Sequence, residues 1–256
     1  DMMGSCRNPA AYTNLYGFRP SPGLIPDKRG ESKYPVLTTP GGIARTPEDL
    51  SIFLDSVSGI DDEDYYSYSF EGSFRSIETH LNSEIKIGWL SNFVENYTFE
   101  KGIIELCEIA LNQFASAEKK ISIERCNINI DPNKLWEVWC NLRSKITFDD
   151  LSSMRIQNFE ELGFPVKWEY EQGEKIKESD ISNAIDYYLK DRSYVESLFD
   201  KYDFLALPSA QLFPFDKEID FPKNIQETQM DTYHRWMEVT VFASMFQLPT
   251  ISVPVG

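Results

Sequence analysis

One serine near the start of the chain has the neighbours that nucleophilic catalysis requires. The segment reads Asp1-Met2-Met3-Gly4-Ser5-Cys6-Arg7-Asn8-Pro9-Ala10. Gly4 has no Cβ, so the backbone can turn tightly there and a ligand carbonyl can approach closely. Successive backbone N–H groups in such a turn form a concavity for negative charge. This arrangement suits acyl transfer, in which donors face a developing oxyanion, although an isolated Gly-Ser pair is equally typical of a surface turn.

The same segment resembles the nucleophile motif of the amidase signature family, G-S-D-x-G-G-S-x-R-x-P-A. Several later blocks also resemble family segments, so the resemblance covers nearly the whole chain, although only the first block is specific to the chemistry. The residues in register with the motif are Asp1, Gly4, Ser5, Arg7, Pro9 and Ala10. The later blocks are residues 16–21, Gly41 with residues 44–50, and residues 87–90, 205–208 and 248–254.

The resemblance implies catalysis by a Ser–cis-Ser–Lys triad with Ser5 as the nucleophile. Ser5 would give its proton to the cis-serine, and the cis-serine would pass it to the lysine. In the family both partners lie upstream of the nucleophile motif. We therefore expect the catalytic Lys and the cis-Ser outside this chain, in the remaining N-terminal part of the same enzyme. A further family segment is expected after Gly256, which would make these residues an internal portion of a longer enzyme.

The resemblance also implies an oxyanion hole made of the backbone N–H groups of Met2, Met3, Gly4 and Ser5. Loss of one such donor costs about 3–4 kcal/mol of transition-state stabilisation in comparable sites. Met3 departs from the family pattern, which has glycine at this position. Its backbone N–H remains available as a donor, but its side chain needs room, and a positive φ would be unfavourable there.

Other candidate residues would support this site. We expect Asp1 and Arg7 to hold the loop, through an ion pair or through hydrogen bonds from each to the backbone. The helix predicted over residues 132–146 resembles one that lies close to the acyl site in related amidases. Residue 211 follows a predicted strand, at the carboxyl end where ligands bind in open α/β sheets. The candidate substrate-pocket residues are Trp136, Trp139, Arg143 and Gln211.

The family contains enzymes with different substrates, and the residues favour some of them over others. The glutaminase subunit of the tRNA-dependent amidotransferase typically carries an Asp-Gln pair before a G-P motif, where this chain has Thr38-Thr39-Pro40. The pattern Tyr233-x-x-Trp236-Met237 is more similar to stand-alone amidases. We therefore favour a hydrolase of a small or aryl carboxylic amide that works through a seryl acyl-enzyme. The alternatives are a non-catalytic binding subunit of amidase fold and the glutaminase subunit of the amidotransferase.

Composition excludes some classes of partner. The chain has 256 residues, a net charge of −16, and 41% hydrophobic and 14% aromatic residues, enough for one large domain over residues 1–256. Such acidity argues against direct binding to nucleic acid or to an anionic membrane, and no apolar run approaches ~20 residues. The four cysteines lack C-x-x-C spacing. We expect a reduced cytoplasmic protein, with a homodimer as one option for its assembly, a small-molecule amide substrate and no cofactor.

Other catalytic chemistries find no support in the sequence. The two histidines, His80 and His234, lack the context of a general base, and no G-x-S-x-G elbow occurs. The histidines and cysteines also lack zinc-ligand spacing, so no metal site is expected. Glycine-rich phosphate loops are missing as well. An N-terminal-nucleophile hydrolase does not fit, because residue 1 is Asp.

Hydrophobic periodicity predicts an α/β protein. The resemblance implies a mixed central β-sheet flanked by helices on both faces (the amidase signature fold), incomplete in this chain. A β–α–β unit is expected to make two neighbouring strands parallel. Residues 61–74 are expected to form an exposed loop, with a lid as its functional interpretation, and residues 147–179 show little pattern. The predicted strands are residues 85–90, 121–130, 203–208 and 250–255. The predicted helices are residues 47–59, 99–117, 132–146, 181–199 and 228–246.

Overall fold

The computed structural model describes residues 1–27, 34–76, 83–154 and 158–255 of the chain, and these form α-helices, short strands and three 3₁₀ turns. The helices are α1 (Arg7–Thr13), α2 (Pro47–Val57), α3 (Ser91–Val94), α4 (Ile103–Ala117), α5 (Pro132–Ser153), α6 (Phe164–Lys175), α7 (Glu178–Leu198) and α8 (Val241–Met245). The strands are β1 (Tyr16–Arg19), β2 (Gly42–Ala44), β3 (Ile85–Trp89), β4 (Ile121–Arg125), β5 (Phe204–Ala206), β6 (Asn224–Ile225), β7 (Thr228–Gln229) and β8 (Thr250–Ser252). The 3₁₀ turns are Phe74–Ser76, Phe159–Glu161 and Arg235–Thr240.

The described strands belong to sheets of both orientations. One sheet has the order β2-β1-β8 and is antiparallel, and the other has the order β4-β3-β5 and is parallel. Strands β6 and β7 form a separate antiparallel pair. Helices α3 and α4 lie between the parallel neighbours β3 and β4, which confirms the predicted β–α–β unit. The predicted α/β class is confirmed.

The second strand of the parallel unit is shorter than the alternation of residues 121–130 predicts. Strand β4 ends at Arg125, and the chain then leaves the sheet. Beyond the strand, the side chain of Asn92 binds the backbone of Ile128. Its Oδ1 accepts from the N–H of Ile128 at 2.9 Å, and its Nδ2 donates to the carbonyl of Ile128 at 2.8 Å. The polar side chain thus replaces a neighbouring strand at this point.

Helices α5 and α6 extend through a region in which the sequence shows little pattern. The prediction for residues 132–146 ended too early, because α5 continues to Ser153. Helix α6 lies within residues 147–179, where the sequence shows little pattern, and it packs against α5 at Gly173, where a Cβ would lie 2.2 Å from the carbonyl oxygen of Ser144. The close approach brings Glu169 to α5, where it is 2% exposed. Because polar side chains make this contact between the helices, it leaves no hydrophobic periodicity in the sequence.

The prediction of a single helix over residues 228–246 is wrong. The segment begins in strand β7, whose Thr228 and Gln229 pair with β6. It continues through the 3₁₀ turn Arg235–Thr240 and ends in the five-residue helix α8. Pairing with β6 fixes the start of the segment in an extended conformation. The apolar residues at helical spacing contact different parts of the core instead.

The main core lies between the parallel sheet, α5 and α8. Its largest fully buried side chains include Trp139 and Leu142 of α5 and Phe242 of α8. Met3, from the predicted nucleophile turn, is 4% exposed and packs into the same cluster. The turn therefore rests directly on the core. Among the described residues, no helix is long and apolar enough to cross a membrane.

Candidate active site

Ser5 lies in a tight turn that leads into helix α1. The side chain of Ser5 is exposed, while Gly4 and Cys6 on either side of it are buried. Gly4 has φ +88°, a conformation in which glycine is favoured, and a Cβ there would lie 2.4 Å from Nδ2 of Asn8. Met3 is not among the described residues with positive φ. The departure at position 3 therefore causes no backbone strain, because the positive φ falls at Gly4.

The carboxylate of Asp1 stabilises this turn through an ion pair and hydrogen bonds to the backbone. It forms a two-point ion pair with Arg7, with Oδ1–Nη2 at 2.8 Å and Oδ2–Nε at 3.1 Å. It also accepts hydrogen bonds from the backbone N–H groups of Gly4 at 3.0 Å and Cys6 at 3.1 Å. The two side chains of the pair are 0% and 3% exposed. One buried anion thus binds both the guanidinium and the backbone on both sides of Ser5.

Arg7 connects the turn to the core. Its Nη1 donates to the carbonyl oxygen of Thr240 at 2.8 Å, and its Nη2 donates to Oγ of Ser244 at 2.7 Å. Burial lowers the pKa of Arg7 to about 10, so the guanidinium remains charged at neutral pH. The ion pair and these two bonds fix helix α1 against the segment that leads into α8.

The backbone donors of the turn are not equivalent. The N–H of Gly4 already donates to Oδ1 of Asp1 at 3.0 Å. Within the described part of the chain, the N–H groups of Met2, Met3 and Ser5 have no acceptor. Of the four N–H groups expected for an oxyanion hole, that of Gly4 is thus bonded within the turn, and the other three have no acceptor among the described residues.

A cavity of about 490 Å³ lies next to Ser5. The turn forms one wall, and aromatic and polar side chains from α1, α5 and residues 215–237 form the others. Its ionisable side chains are Tyr12, Arg143, Tyr233 and His234, and no lysine of the described residues lines it. The complete lining is Met2, Met3, Gly4, Ser5, Asn8, Pro9, Tyr12, Arg143, Phe215, Tyr233, His234, Trp236 and Met237.

Arg143 is part of a hydrogen-bonded cluster on the cavity wall. Its Nε lies 2.5 Å from Oε1 of Glu169, and its Nη2 donates to the hydroxyl of Tyr233 at 3.0 Å. The Tyr233 hydroxyl donates to Oε1 of Glu169 at 2.8 Å, and Ser144 donates to Oε2 at 2.5 Å. Burial opposes the charge of Arg143, but Glu169 and Tyr233 outweigh it and raise its pKa. Arg143 thus carries a charge on the cavity wall, and the carboxylate of Glu169 neutralises it.

The sequence prediction missed Glu169 and Tyr233 as site residues. Glu169 lies on α6, in the region without hydrophobic pattern, and no local motif marks it. Tyr233 does fall in the Tyr233-x-x-Trp236-Met237 pattern, and all three of these residues line the cavity. That pattern was the available signal. The helix that was predicted over residues 228–246, however, would have placed these three side chains differently.

His234 is a buried ring in the wall of the cavity. It is 1% exposed and stacks on Tyr233 with ring centroids 4.4 Å apart, and the rings of Trp136 and Trp168 lie at 4.9 and 5.5 Å. Its nitrogens have no hydrogen-bond partner in the described structure, and Nε2 lies 3.7 Å from Glu169. Burial, with a smaller effect of Arg143, lowers the pKa of His234 to about 3. His80 lies outside the described residues.

The other candidate pocket residues lie in the core and do not line the Ser5 cavity. Trp139 is 0% and Trp136 is 6% exposed, because α5 presents both rings to the main core. Gln211 is 0% exposed; its amide donates to the carbonyl of Thr98 at 3.0 Å and accepts from the N–H of Val239 at 3.0 Å. Of the four candidates, the structure brings only Arg143 to the cavity.

Metal ligands are not grouped in the described structure. Over residues 1–27, 34–76, 83–154 and 158–255, no three or more His, Cys, Asp or Glu side chains are placed to hold a metal ion. The four cysteines are free thiols. Burial raises the pKa of the Cys107 thiol to about 11, which keeps it protonated.

The chain is similar to curated proteins over all or part of its length. The chain is 27% identical, over an alignment of 288 residues, to the A subunit of the Glutamyl-tRNA(Gln) amidotransferase of Orientia tsutsugamushi (strain Boryong); the match covers 100% of this chain and 56% of that protein. A shorter match to the same protein of Pseudomonas fluorescens is 38% identical over 87 residues, covering 34% of this chain and 17% of that protein. The chain thus spans about half the length of the curated relatives that it matches in full.

Solved structures share the fold. A bacterial aryl acylamidase of the amidase signature family superposes with a TM-score of 0.84 at 23% identity, covering 100% of this chain and 55% of that one. The A subunit of the Glutamyl-tRNA(Gln) amidotransferase of Thermotoga maritima superposes with a TM-score of 0.74 at 22% identity, covering 100% and 54%. The amidase family model matches residues 1–256. The chain therefore belongs to the amidase signature family.

Proposed function

We propose that this chain carries the nucleophile and the oxyanion hole of an enzyme that hydrolyses a carboxylic amide. The observation that supports this most strongly is the exposed Ser5 between buried neighbours, in a turn that the Asp1–Arg7 ion pair holds rigid. A preorganised turn keeps its N–H groups directed at the position where charge develops, so they need not reorganise during the reaction.

In the proposed reaction, Oγ of Ser5 attacks the carbonyl carbon of the amide. The carbonyl oxygen becomes an oxyanion that accepts hydrogen bonds from the N–H groups of Met2, Met3 and Ser5. The proton of Ser5 passes through a cis-serine to a lysine and then to the leaving amine. Water hydrolyses the acyl-enzyme and releases the carboxylic acid. The cis-serine and the lysine would belong to the rest of the protein, since the curated relatives are about twice as long as this chain.

A stand-alone amidase for small or aryl amides is the function that we favour. A glutaminase has to recognise the charged α-carboxylate and α-ammonium groups of glutamine. Arg143 is the cation on the described wall of the Ser5 cavity, and Glu169 already neutralises it. A neutral substrate group suits this wall better, because it needs no unpaired counter-charge.

The glutaminase subunit of an amidotransferase is the second candidate. The curated relatives that cover the whole chain, such as that of Orientia tsutsugamushi, bear the name of that enzyme. Under this interpretation, the ammonia released at Ser5 would serve a partner subunit.

Substrate hydrolysis distinguishes the two candidates. The full-length protein is assayed with 4-nitroacetanilide, by release of 4-nitroaniline, and with glutamine, by release of glutamate. We expect anilide hydrolysis that Ser5→Ala abolishes and Ser56→Ala, a change at an exposed serine of α2, leaves intact. Hydrolysis of glutamine alone would favour the amidotransferase interpretation. Activity on either substrate that survives Ser5→Ala would refute the proposed nucleophile.

A further inference from the structure

We infer that a second, larger cavity next to the Ser5 cavity is a subsite for an aromatic group of the substrate amide. This inference rests on the proposed role of Ser5. The second cavity has a volume of about 1340 Å³ and is lined by residues of the 212–224 segment, the start of α6 and residues 233–237. Four side chains line both cavities: Phe215, Tyr233, Trp236 and Met237. The two spaces therefore adjoin at these side chains, and we place the aryl group of a substrate held at Ser5 on the side of the larger one.

One group of aromatic rings lies along the larger cavity. Phe164 stacks on Phe221 with ring centroids 6.0 Å apart, and Tyr233 meets these rings edge to face at 6.1 and 6.2 Å. Phe164 is 56% exposed, although phenylalanine is a residue that folding normally buries. An apolar surface left open at a cavity is typical of a ligand-binding site.

A second group of rings continues this surface to the nucleophile. Tyr12 and Trp236 stack with centroids 6.4 Å apart, and Phe215 meets them edge to face at 5.9 and 5.3 Å. Nε1 of Trp236 donates to the carbonyl oxygen of Tyr233 at 3.1 Å, which fixes the indole between the two groups. All three rings of this second group, Tyr12, Phe215 and Trp236, line the Ser5 cavity. The aromatic surface is therefore continuous from the scissile bond outward.

The charges around the larger cavity restrict which aromatic group can bind. Its lining contains three carboxylates, Glu100, Glu218 and Asp220, against one ammonium, Lys223, a formal charge of 1 − 3 = −2. An anionic substituent would be repelled there, and in the adjoining cavity Arg143 is already paired. The site therefore suits a neutral or cationic aryl group. Offset and edge-to-face contacts with rings at these distances contribute about 0.5–1.5 kcal/mol each beyond burial.

Binding to a hydrolytically dead protein tests the subsite. Full-length protein carrying Ser5→Ala is titrated by calorimetry with acetanilide, benzamide, acetamide and 4-acetamidobenzoate. We expect acetanilide or benzamide to bind about tenfold or more tightly than acetamide, from the ring contacts. The anionic 4-acetamidobenzoate should bind more weakly than acetanilide. Equal binding of all four amides would overturn the inference.

Variants of the lining give the second test. Phe221→Leu and Trp236→Leu, each added to Ser5→Ala, keep an apolar side chain and should weaken aryl-amide binding about tenfold while binding of acetamide stays unchanged. Phe70→Leu is the control, since this exposed ring stacks on Phe74 and lines neither cavity. If both lining variants bind aryl amides as the parent does, the subsite is refuted. Failure of the proposed function would give a different result. The Ser5→Ala variant would then still hydrolyse the amide, while aryl amides would continue to bind more tightly than acetamide.

Discussion

Asp1 and Arg7 form a buried two-point ion pair directly beneath the turn that presents Ser5, with contacts of 2.8 and 3.1 Å. The same carboxylate accepts the N–H groups of Gly4 and Cys6. The pair therefore sets the conformation of the turn as well as its attachment to the core. A bidentate contact of this kind depends on the planar guanidinium, which a lysine ammonium cannot reproduce.

Replacement of Arg7 should therefore damage both stability and catalysis. Arg7→Met removes the two-point partner of the buried Asp1 carboxylate and leaves it with Arg19 at 3.8 Å, and we expect the free energy of unfolding to fall by as much as about 3–5 kcal/mol. Arg7→Lys retains the charge but loses the two-point geometry, so kcat should fall more than KM rises. Urea unfolding and steady-state kinetics of the full-length protein measure these effects. Arg45→Lys, at an exposed arginine, is the control. Wild-type kcat in Arg7→Lys would contradict a positioning role.

Substitution of Gly4 tests the tightness of the turn. Gly4→Ala adds a Cβ 2.4 Å from Asn8 and 3.0 Å from Cγ2 of Thr240, at φ +88°. The backbone conformation alone costs roughly 1–2 kcal/mol for a residue with a side chain. We expect amide hydrolysis to be lost. Gly72→Ala is a matched control, because Gly72 also has positive φ (+111°) but its nearest neighbour would lie at 3.9 Å. Equal activity losses in both variants would show that the packing around Gly4 is unimportant.

Removal of the charge on Glu169 tests the polar cluster of the cavity wall. Glu169→Gln leaves Arg143 without its counter-ion in a buried site, and we expect the protein to lose about 3–5 kcal/mol of stability. Glu160→Gln is the control, since Glu160 pairs with Lys167 at 2.9 Å but is 86% exposed, and such pairs contribute about 0–1 kcal/mol. Chemical denaturation of both variants gives the comparison. If the two variants lose the same stability, the cluster does not depend on the charge of Glu169.

The pH dependence of stability should contain a contribution from His234. Its pKa is lowered from 6.5 to about 3 in the folded state by burial. Between these two values the unfolded chain binds a proton that the folded protein does not, so this contribution to stability is lost as the pH falls from about 6.5 towards 3. His234→Phe retains the ring contacts and removes the titrating group. We expect the variant to lose less stability than the wild type between pH 7 and pH 5, as measured by denaturation at each pH. Identical slopes would contradict the buried neutral histidine.

The sequence allowed the prediction that Asp1 and Arg7 hold the turn around Ser5, but not the prediction of the cavity wall opposite that turn. Asp1, Ser5 and Arg7 lie within seven positions, so the motif and the chemistry of a local ion pair suffice to place them together. Arg143 contacts Glu169 and Tyr233, which lie 26 and 90 positions away. Such contacts depend on how helices pack, and polar partners leave no periodic signal.

The errors in the fold prediction have a related origin. Tyr233 and Met237 fall at helical spacing, yet the segment containing them begins in a strand and continues as a 3₁₀ turn, because pairing with β6 overrides local propensity. The parallel pairing of β3 and β4 was predictable, because a clear helical pattern over residues 99–117 separates two apolar strand patterns. Trp136 and Trp139 belong to the core, as two large apolar residues on one face of a helix often do.

The most direct test of the account is to map the site of covalent modification by a serine-directed fluorophosphonate. The full-length protein is treated with the reagent, digested and analysed by mass spectrometry, with Ser5→Ala and Ser56→Ala in parallel. We predict one adduct, on Ser5, which disappears in Ser5→Ala and remains in Ser56→Ala. An active enzyme that carries its adduct on another residue, or that is inactivated without modification of Ser5, would contradict it.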